Sequence, residues 1–148
     1  MNREIEIREI RAEETYSIRQ HVLRPNQKME DCDFPGDQDS STFHVGAFFE
    51  SKLIGIASYY YEGNSEFKEE HQYRLRGMAT LPEYRGLNAG KMLIEEAGKV
   101  LKERGADLWW CNARTSAIGF YEKLGLLVYG DIFDIDPIGP HKRMVLHL

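Results

Sequence analysis

The sequence predicts an α/β (α+β) domain in which helices pack on one mixed sheet. Three observations predict it. The apolar patterns read in the order strand, helix, three strands, helix, strand, helix, strands. Two of the helical patterns run into a glycine, at Gly105 and Gly125, the residue that most easily closes a helix. The chain has 148 residues, 42% hydrophobic and 29% charged, which is one domain by length (1–148) with enough chain to bury a core.

Ile5, Ile7 and Ile10 stand among charges and predict a first strand with one buried face. Residues 12–24 predict a helix with Thr15, Ile18 and Val22 along one side. Pro25 ends it, because proline cannot continue the hydrogen-bond ladder. The polar stretch 26–41, with Pro35 and Gly36, predicts a long loop with a helical turn, and loops of that length are often functional. The runs 43–49 and 53–61 are apolar, aromatic and β-branched. Glu50, Ser51 and Lys52 separate them, which predicts a hairpin. Residues 62–70 are polar again, and 73–81 predict a strand.

Residues 82–90 predict a loop and 91–104 a helix. The helix carries an apolar stripe of Leu93, Ala97, Val100 and Leu101 and closes at Gly105. A buried strand over 108–113 and a short helix over 115–124, capped by Thr115 or Ser116, follow. Two last strands fall near 126–129 and 142–148.

Bulk properties exclude several classes. No apolar run approaches the roughly 20 residues that span a bilayer. Met1–Ile10 alternates charged and apolar residues, unlike a signal peptide, so the expected location is cytoplasmic. A net charge of −5 argues against nucleic acid as the main partner. Cys32 and Cys111 match no metal or redox spacing and predict free thiols in a reducing compartment. No metal site is expected.

The most informative stretch runs from Met78 to Lys91: a strand, a loop holding Pro82, and a helix start rich in small residues. Helix N-termini expose unpaired N–H groups and carry partial positive charge. Glycines at Gly86 and Gly90 let a phosphate approach closely, and Arg85 and Lys91 add charge. The segment therefore has the make-up of a pyrophosphate cradle. It lacks the Gly-Lys-Ser/Thr ending of a triphosphate loop and the three spaced glycines of a dinucleotide loop.

A second stretch, Asn112 to Leu126, follows the next strand. Ala117, Phe120, Tyr121 and Leu124 share one helical face there. A lone tyrosine in such a place is ordinarily a core aromatic.

Together the two stretches resemble the GNAT acetyltransferases, most strongly from Met78 to Leu126. In that family the coenzyme pyrophosphate rests on a Gln/Arg-x-x-Gly-x-Gly/Ala loop. Arg85, Ala89 and Gly90 fall in register here, with Gly86 beside the arginine. Asn88 replaces the middle glycine, and asparagine tolerates left-handed backbone angles better than most residues. Ala117, Tyr121 and the Glu-Lys-Leu-Gly that follows look like the family's second coenzyme-contact element. Asn112 and Arg114 are alternative coenzyme contacts before it.

The resemblance implies a largely antiparallel, splayed sheet of about six or seven strands, parted between the strands that end near Thr80 and Asn112. It implies acetyl-coenzyme A as the acyl donor and a primary amine on a small molecule or peptide as acceptor, with no covalent enzyme intermediate. Met78, Ala79 and Thr80 would pair with the pantetheine arm like an added strand. An N–H near Ala79 would polarise the thioester carbonyl. The segment Arg85, Gly86, Leu87, Asn88, Ala89, Gly90 and Lys91 would hold the pyrophosphate, with Ala117 and Phe120 lining the coenzyme, and Tyr121 would protonate the departing thiolate. His44, Glu70, His71 and His141 are candidates for the base, and His141, in an expected turn before the last strand, has the best case. A homodimer is common in the family. A catalytically silent coenzyme-binding module on the same fold is the alternative, and a binding domain using the 26–41 loop is a second. The acidic and aromatic residues Glu30–Phe34 and Tyr59–Tyr61 would suit a cationic acceptor.

Overall fold

The computed structural model describes residues 4–148. The first three residues of the Met1–Ile10 pattern lie outside the described residues.

Seven strands form one sheet in the order β1-β2-β3-β4-β5-β7-β6. They are β1 (Ile5–Ile10), β2 (Phe43–Phe49), β3 (Lys52–Tyr61), β4 (Gln72–Thr80), β5 (Leu108–Arg114), β6 (Leu127–Ile135) and β7 (Gly139–His147). The helices are α1 (Ala12–Ile18), α2 (Ala89–Glu103) and α3 (Ile118–Lys123). A π-helical turn over Arg19–Leu23 extends α1, so the segment read as one helix over 12–24 changes its winding partway. Among the described residues no helix is long and apolar enough to cross a membrane.

Glu50 and Ser51, both at positive φ (49° and 69°), turn the β2–β3 hairpin. That is the two-residue turn whose twist matches the strands it joins. Ile5 and Ile7 pack on the α2 side of the sheet, whereas Ile10 belongs to the cluster under α1 with Ile18, Ile56 and Ala79. β1 is therefore buried on both faces in part, not on one face as its pattern suggests. On the α2 side Leu93, Ala97 and Leu101 bury their side chains against Val45, Ala57, Tyr59, Leu75 and Trp109. The predicted stripe of α2 is in place, with Val100 at its margin.

All neighbouring strands run antiparallel except β4 and β5. This parallel pair is short: Gln72, Tyr73 and Arg74 stand beside Leu108, Trp109 and Trp110, and the pairing ends there. Past Arg74, β4 stays bound to β3 as far as Thr80. Past Trp110, β5 stays bound to β7 as far as Arg114. The sheet is thus whole at one end and parted at the other. A bulge accompanies the parting. The β3–β4 register shifts between Ile56 and Ser58, opposite Gly77, whose φ of 66° a side chain rarely adopts. Bulged strands bend and twist more strongly than regular ones, which turns the end of β4 away from β5.

β6 and β7 are longer than their sequence signals. His141 was expected in a turn, but the turn lies at residues 136–138 and β7 already begins at Gly139. Phe133 and Arg114 flank His141 on the two neighbouring strands.

Candidate active site

The helix behind the splay starts earlier than expected. α2 begins at Ala89, so Ala89, Gly90 and Lys91 are its first turn, and Asn88 is the N-cap. Asn88 holds φ 64° and ψ 20°, the left-handed conformation that asparagine tolerates. Its side chain does not cap the helix, and no acidic residue lies in the first turn. The N–H groups of Ala89, Gly90 and Lys91 therefore lack the intrahelical acceptors that interior residues have. Arg85, Gly86, Leu87 and Asn88 are exposed beside them. No carboxylate lies within ion-pair distance of Arg85 among the described residues, and Lys91 reaches only its helical neighbour Glu95 at 3.8 Å. Fifteen residues of aligned peptide dipoles end at this point. The residues fit a pyrophosphate.

The splay wall is β4. The Leu81 N–H donates to the Ile54 carbonyl at 2.8 Å. Antiparallel pairs alternate between bonding to the partner strand and pointing away from it. Ala79, opposite Ile56, therefore turns its N–H and C=O toward β3, and the Met78 and Thr80 groups turn into the splay. A ligand lying along this edge finds unpaired backbone groups, as an added strand requires.

Tyr121 closes the inner end. It comes from α3 and is 9% exposed, within the cluster that holds Cys111, Ala113 and Met144. Its hydroxyl donates to the Met78 sulfur at 3.6 Å, spanning the gap between α3 and β4. A thioether is a weak acceptor. Burial holds the Tyr121 phenol far above its ordinary range, with Cys111 adding to it. Burial also pushes the Cys111 thiol up to about 12. Phe120 packs edge-on against Tyr121 and is partly exposed. Met78 and Phe120 also crowd Gly90, where a Cβ would stand 2.9 Å from the Met78 methyl and 3.1 Å from the Phe120 ring. The three positions form one surface. Thr115 and Ser116 cap nothing with their side chains. A short turn over Thr115–Ala117 precedes α3, whose N-cap is Ala117.

Side-chain alternation assigns the remaining candidates. Cys111 and Ala113 face α2 and α3, so Asn112 and Arg114 face the α1 side. Asn112 accepts from Arg143 Nε at 3.3 Å. His141 pairs with Arg114 in register and points to that same side, against Phe133. Its Nδ1 lies 2.7 Å from the Gly139 carbonyl. A carbonyl only accepts, so Nδ1 carries the proton and Nε2 keeps its lone pair in the neutral ring. His44 is different: Nδ1 meets Ser58 Oγ at 2.7 Å and Nε2 the Asp37 carbonyl at 3.1 Å. Both its nitrogens are engaged in the interior. Glu70 and His71 are exposed at the entry to β4, the end where the sheet is whole.

Sequence reasoning missed a buried polar network beneath the splay on the α1 side. Arg19 is fully buried and forms a two-pronged pair with Asp37, at 2.6 and 3.0 Å. It also donates to Ser58 Oγ, Tyr60 Oη and the Cys32 carbonyl. Burial alone would raise the Asp37 carboxyl, but donation from Arg19, the Tyr60 hydroxyl and the Phe34 amide holds it below its usual range. Tyr60 is thereby committed to the network, and Tyr59 is stacked on Phe43 in the opposite core. Neither is free to receive a cationic acceptor. Cys32 and Phe34 are buried along with Asp37, while most of the 26–41 loop around them stays exposed.

A sheet that parts at its one parallel pair, behind an open helix N-terminus, defines the acyl-coenzyme A N-acyltransferase class. Within that class, residues 5–126 match the Acetyltransferase (GNAT) family, and the chain belongs to it. It is 44% identical over 140 residues to the uncharacterized N-acetyltransferase YitI of Bacillus subtilis, covering 95% of this chain and 94% of that one. Among solved structures, an aminoglycoside 6'-N-acetyltransferase complexed with coenzyme A shares the fold with a TM-score of 0.77 at 14% identity, covering 96% of each chain. Escherichia coli ElaA shares it with a TM-score of 0.73 at 16% identity, covering 95% of this chain and 98% of that one. The protein is an acyltransferase, and the general reaction of its family is acyl transfer from acetyl-coenzyme A to an amine.

Proposed function

We propose that this protein transfers an acetyl group from acetyl-coenzyme A to a primary amine by direct attack, with the thioester held in the splay between Met78 and Tyr121. The observation that carries the reading is the Tyr121 hydroxyl, buried at the parting of β4 and β5 with, among the described residues, only a methionine sulfur to bond. Bound there, the coenzyme supplies an activated acyl carbon, and the chain supplies the rest.

The first turn of α2 and Arg85 hold the pyrophosphate. The unpaired edge of β4 orients the arm, and an N–H of Met78 or Thr80 donates to the thioester oxygen as charge develops on it. His141 Nε2, on the α1 side, removes the amine proton directly or through one water. As the C–N bond forms and the C–S bond breaks, Tyr121 gives its proton to the sulfur. An ordinary phenol is a weaker acid than a thiol, about 10 against about 8.5, so this transfer is uphill in water. The same burial that raises Tyr121 raises a thiol beside it, as Cys111 reports. Both groups shift the same way, so burial does not close the gap between them, and the transfer is coupled to charge developing on sulfur as the C–S bond breaks. Phe34 and Arg19 close over the Gly77 bulge, at 3.2 and 3.4 Å from where a Cβ would stand, which favours a short acyl group.

The test is release of free thiol from acetyl-coenzyme A with a panel of amines, including polyamines, amino acids, aminoglycosides and peptides. Thiol release with at least one amine, and loss of rate with octanoyl-coenzyme A, is expected. Coenzyme binding without thiol release from any amine would instead establish the catalytically silent module.

A further inference from the structure

Resting on that reading, we infer that the acceptor amine carries an oxyanion, a carboxylate or a phosphate, which Arg24 and Arg76 bind beside the Phe34 ring on the α1 side of the splay.

Three guanidinium groups crowd one aromatic ring. Arg19, Arg24 and Arg76 lie 4.0, 4.8 and 4.9 Å from the centre of Phe34. Arg19 is neutralised by Asp37. Arg24 and Arg76 are not. Among the described residues neither has a carboxylate within 4.0 Å, and Arg24 is held only by the Gln27 amide oxygen at 3.0 Å. The Arg76 guanidinium has no hydrogen-bond acceptor among the described residues, although the side chain is half-buried between Phe34 and Tyr60. Burial, reinforced by the charge of Arg74, lowers the Arg76 pKa. Two unpaired guanidiniums this close repel each other, and a ring face offsets only about 0.5–2 kcal/mol of that.

The acids nearby are already used. Glu62 pairs with Arg74, Glu66 with Arg143, and Asp33 accepts from Tyr16. In a chain with 24 acidic and 19 basic residues, unpaired arginines at one place are not a consequence of composition. Place decides the rest. Phe34 rests on the Gly77 bulge, one residue from Met78, and the Arg19 Nε beside it is buried without an acceptor. Planar guanidinium forks match carboxylate and phosphate in two-pronged geometry, which ammonium groups do not. The same charges repel polyamines, the opposite of the cationic acceptor expected from the sequence.

The experiment has two readouts. Thiol release is measured with glycine, glutamate and dipeptides, with their amides, with phosphoethanolamine and ethanolamine, and with spermidine. In parallel, the protein saturated with coenzyme A is titrated calorimetrically with N-acetyl amino acids and the matching amides. Acids are expected to exceed amides at least tenfold in kcat/KM or affinity. Arg76→Gln and Arg24→Gln are expected to shrink that ratio at least tenfold while coenzyme affinity stays within twofold. Preference for phosphoethanolamine over the amino acids would assign a phosphate, and the reverse a carboxylate. Equal use of acids and amides, preference for spermidine, or no binding of any oxyanion compound would overturn the inference. Failure to bind coenzyme A would overturn the proposed function, a separate outcome.

Discussion

Tyr121 and Met78 touch across the parted strands, hydroxyl to sulfur at 3.6 Å, and nothing else bonds that hydroxyl among the described residues. Tyr121→Phe keeps the ring and its packing and removes only the proton donor. Turnover is expected to fall about 100-fold, the low end for a positioned acid, with acetyl-coenzyme A affinity almost unchanged. Single-turnover thiol release at saturating coenzyme checks it. Rates within twofold of wild type would remove Tyr121 from the chemistry.

Asn88 gives the second prediction, because its left-handed φ of 64° aims the uncapped amides of α2. Asn88→Gly accepts that angle freely and should leave coenzyme binding close to wild type. Asn88→Val does not, at a cost of about 1–2 kcal/mol. It should weaken acetyl-coenzyme A binding about tenfold, since about 1.4 kcal/mol is one decade. Calorimetric titration of both variants decides, and equal affinities would dissociate the loop conformation from binding.

The third prediction concerns the Arg19–Asp37 pair. Removing one member of a fully buried pair strands the other, which typically costs about 3–5 kcal/mol. Arg19→Met should therefore lower the melting temperature by roughly 10 °C for a chain of this size. The double variant Arg19→Met with Asp37→Asn should recover part of the loss. Thermal unfolding of the three proteins tests it, and an Arg19→Met protein as stable as wild type would show that the pair is not held as described.

Much of the fold was legible because its signals are local. Pro25 lies just past the helical segment opened by α1, Gly105 and Gly125 close helices at φ 76° and 96°, and the α2 stripe lies where its period puts it. The exposed loop before α2 and the helical placement of Tyr121 were legible for the same reason, through short spacings. What sequence could not show depends on long-range pairing. The parting of β4 from β5 is set by where a ladder stops, not by any one residue. Arg19 carries no sequence signal of its own within the 12–24 helix, and its partners stand 18, 39 and 41 residues away. The nearest sequence signal was Asp37 after Pro35-Gly36, a polar residue in a loop dense with turn formers. β6 was read short because it is an edge strand whose Asp131 and Asp134 face solvent, which erases alternation.

Stability should fall in alkali. Burial raises Tyr59, Tyr60, Tyr121, Cys32 and Cys111 above their ordinary values. Each group holds its proton to higher pH when folded than in the unfolded chain, where ionisation begins from about pH 8.5 for thiols and about pH 10 for phenols. The unfolded state then binds fewer protons, so stability is complete below those values and declines above them. Urea midpoints should be lower at pH 9 than at pH 7, as the thiols begin to ionise in the unfolded chain, and lower again at pH 10.5 as the phenols follow. A level midpoint through pH 10.5 would contradict the burial of these groups.

The most direct measurement of the central claim is a calorimetric titration of the wild-type protein with acetyl-coenzyme A. The geometry of α2 and the splay predicts saturable binding of one molecule per chain. Free ligand at a hundredfold excess over the dissociation constant should stabilise the fold by about 2.7 kcal/mol. No heat and no shift in melting temperature at millimolar acetyl-coenzyme A would contradict it.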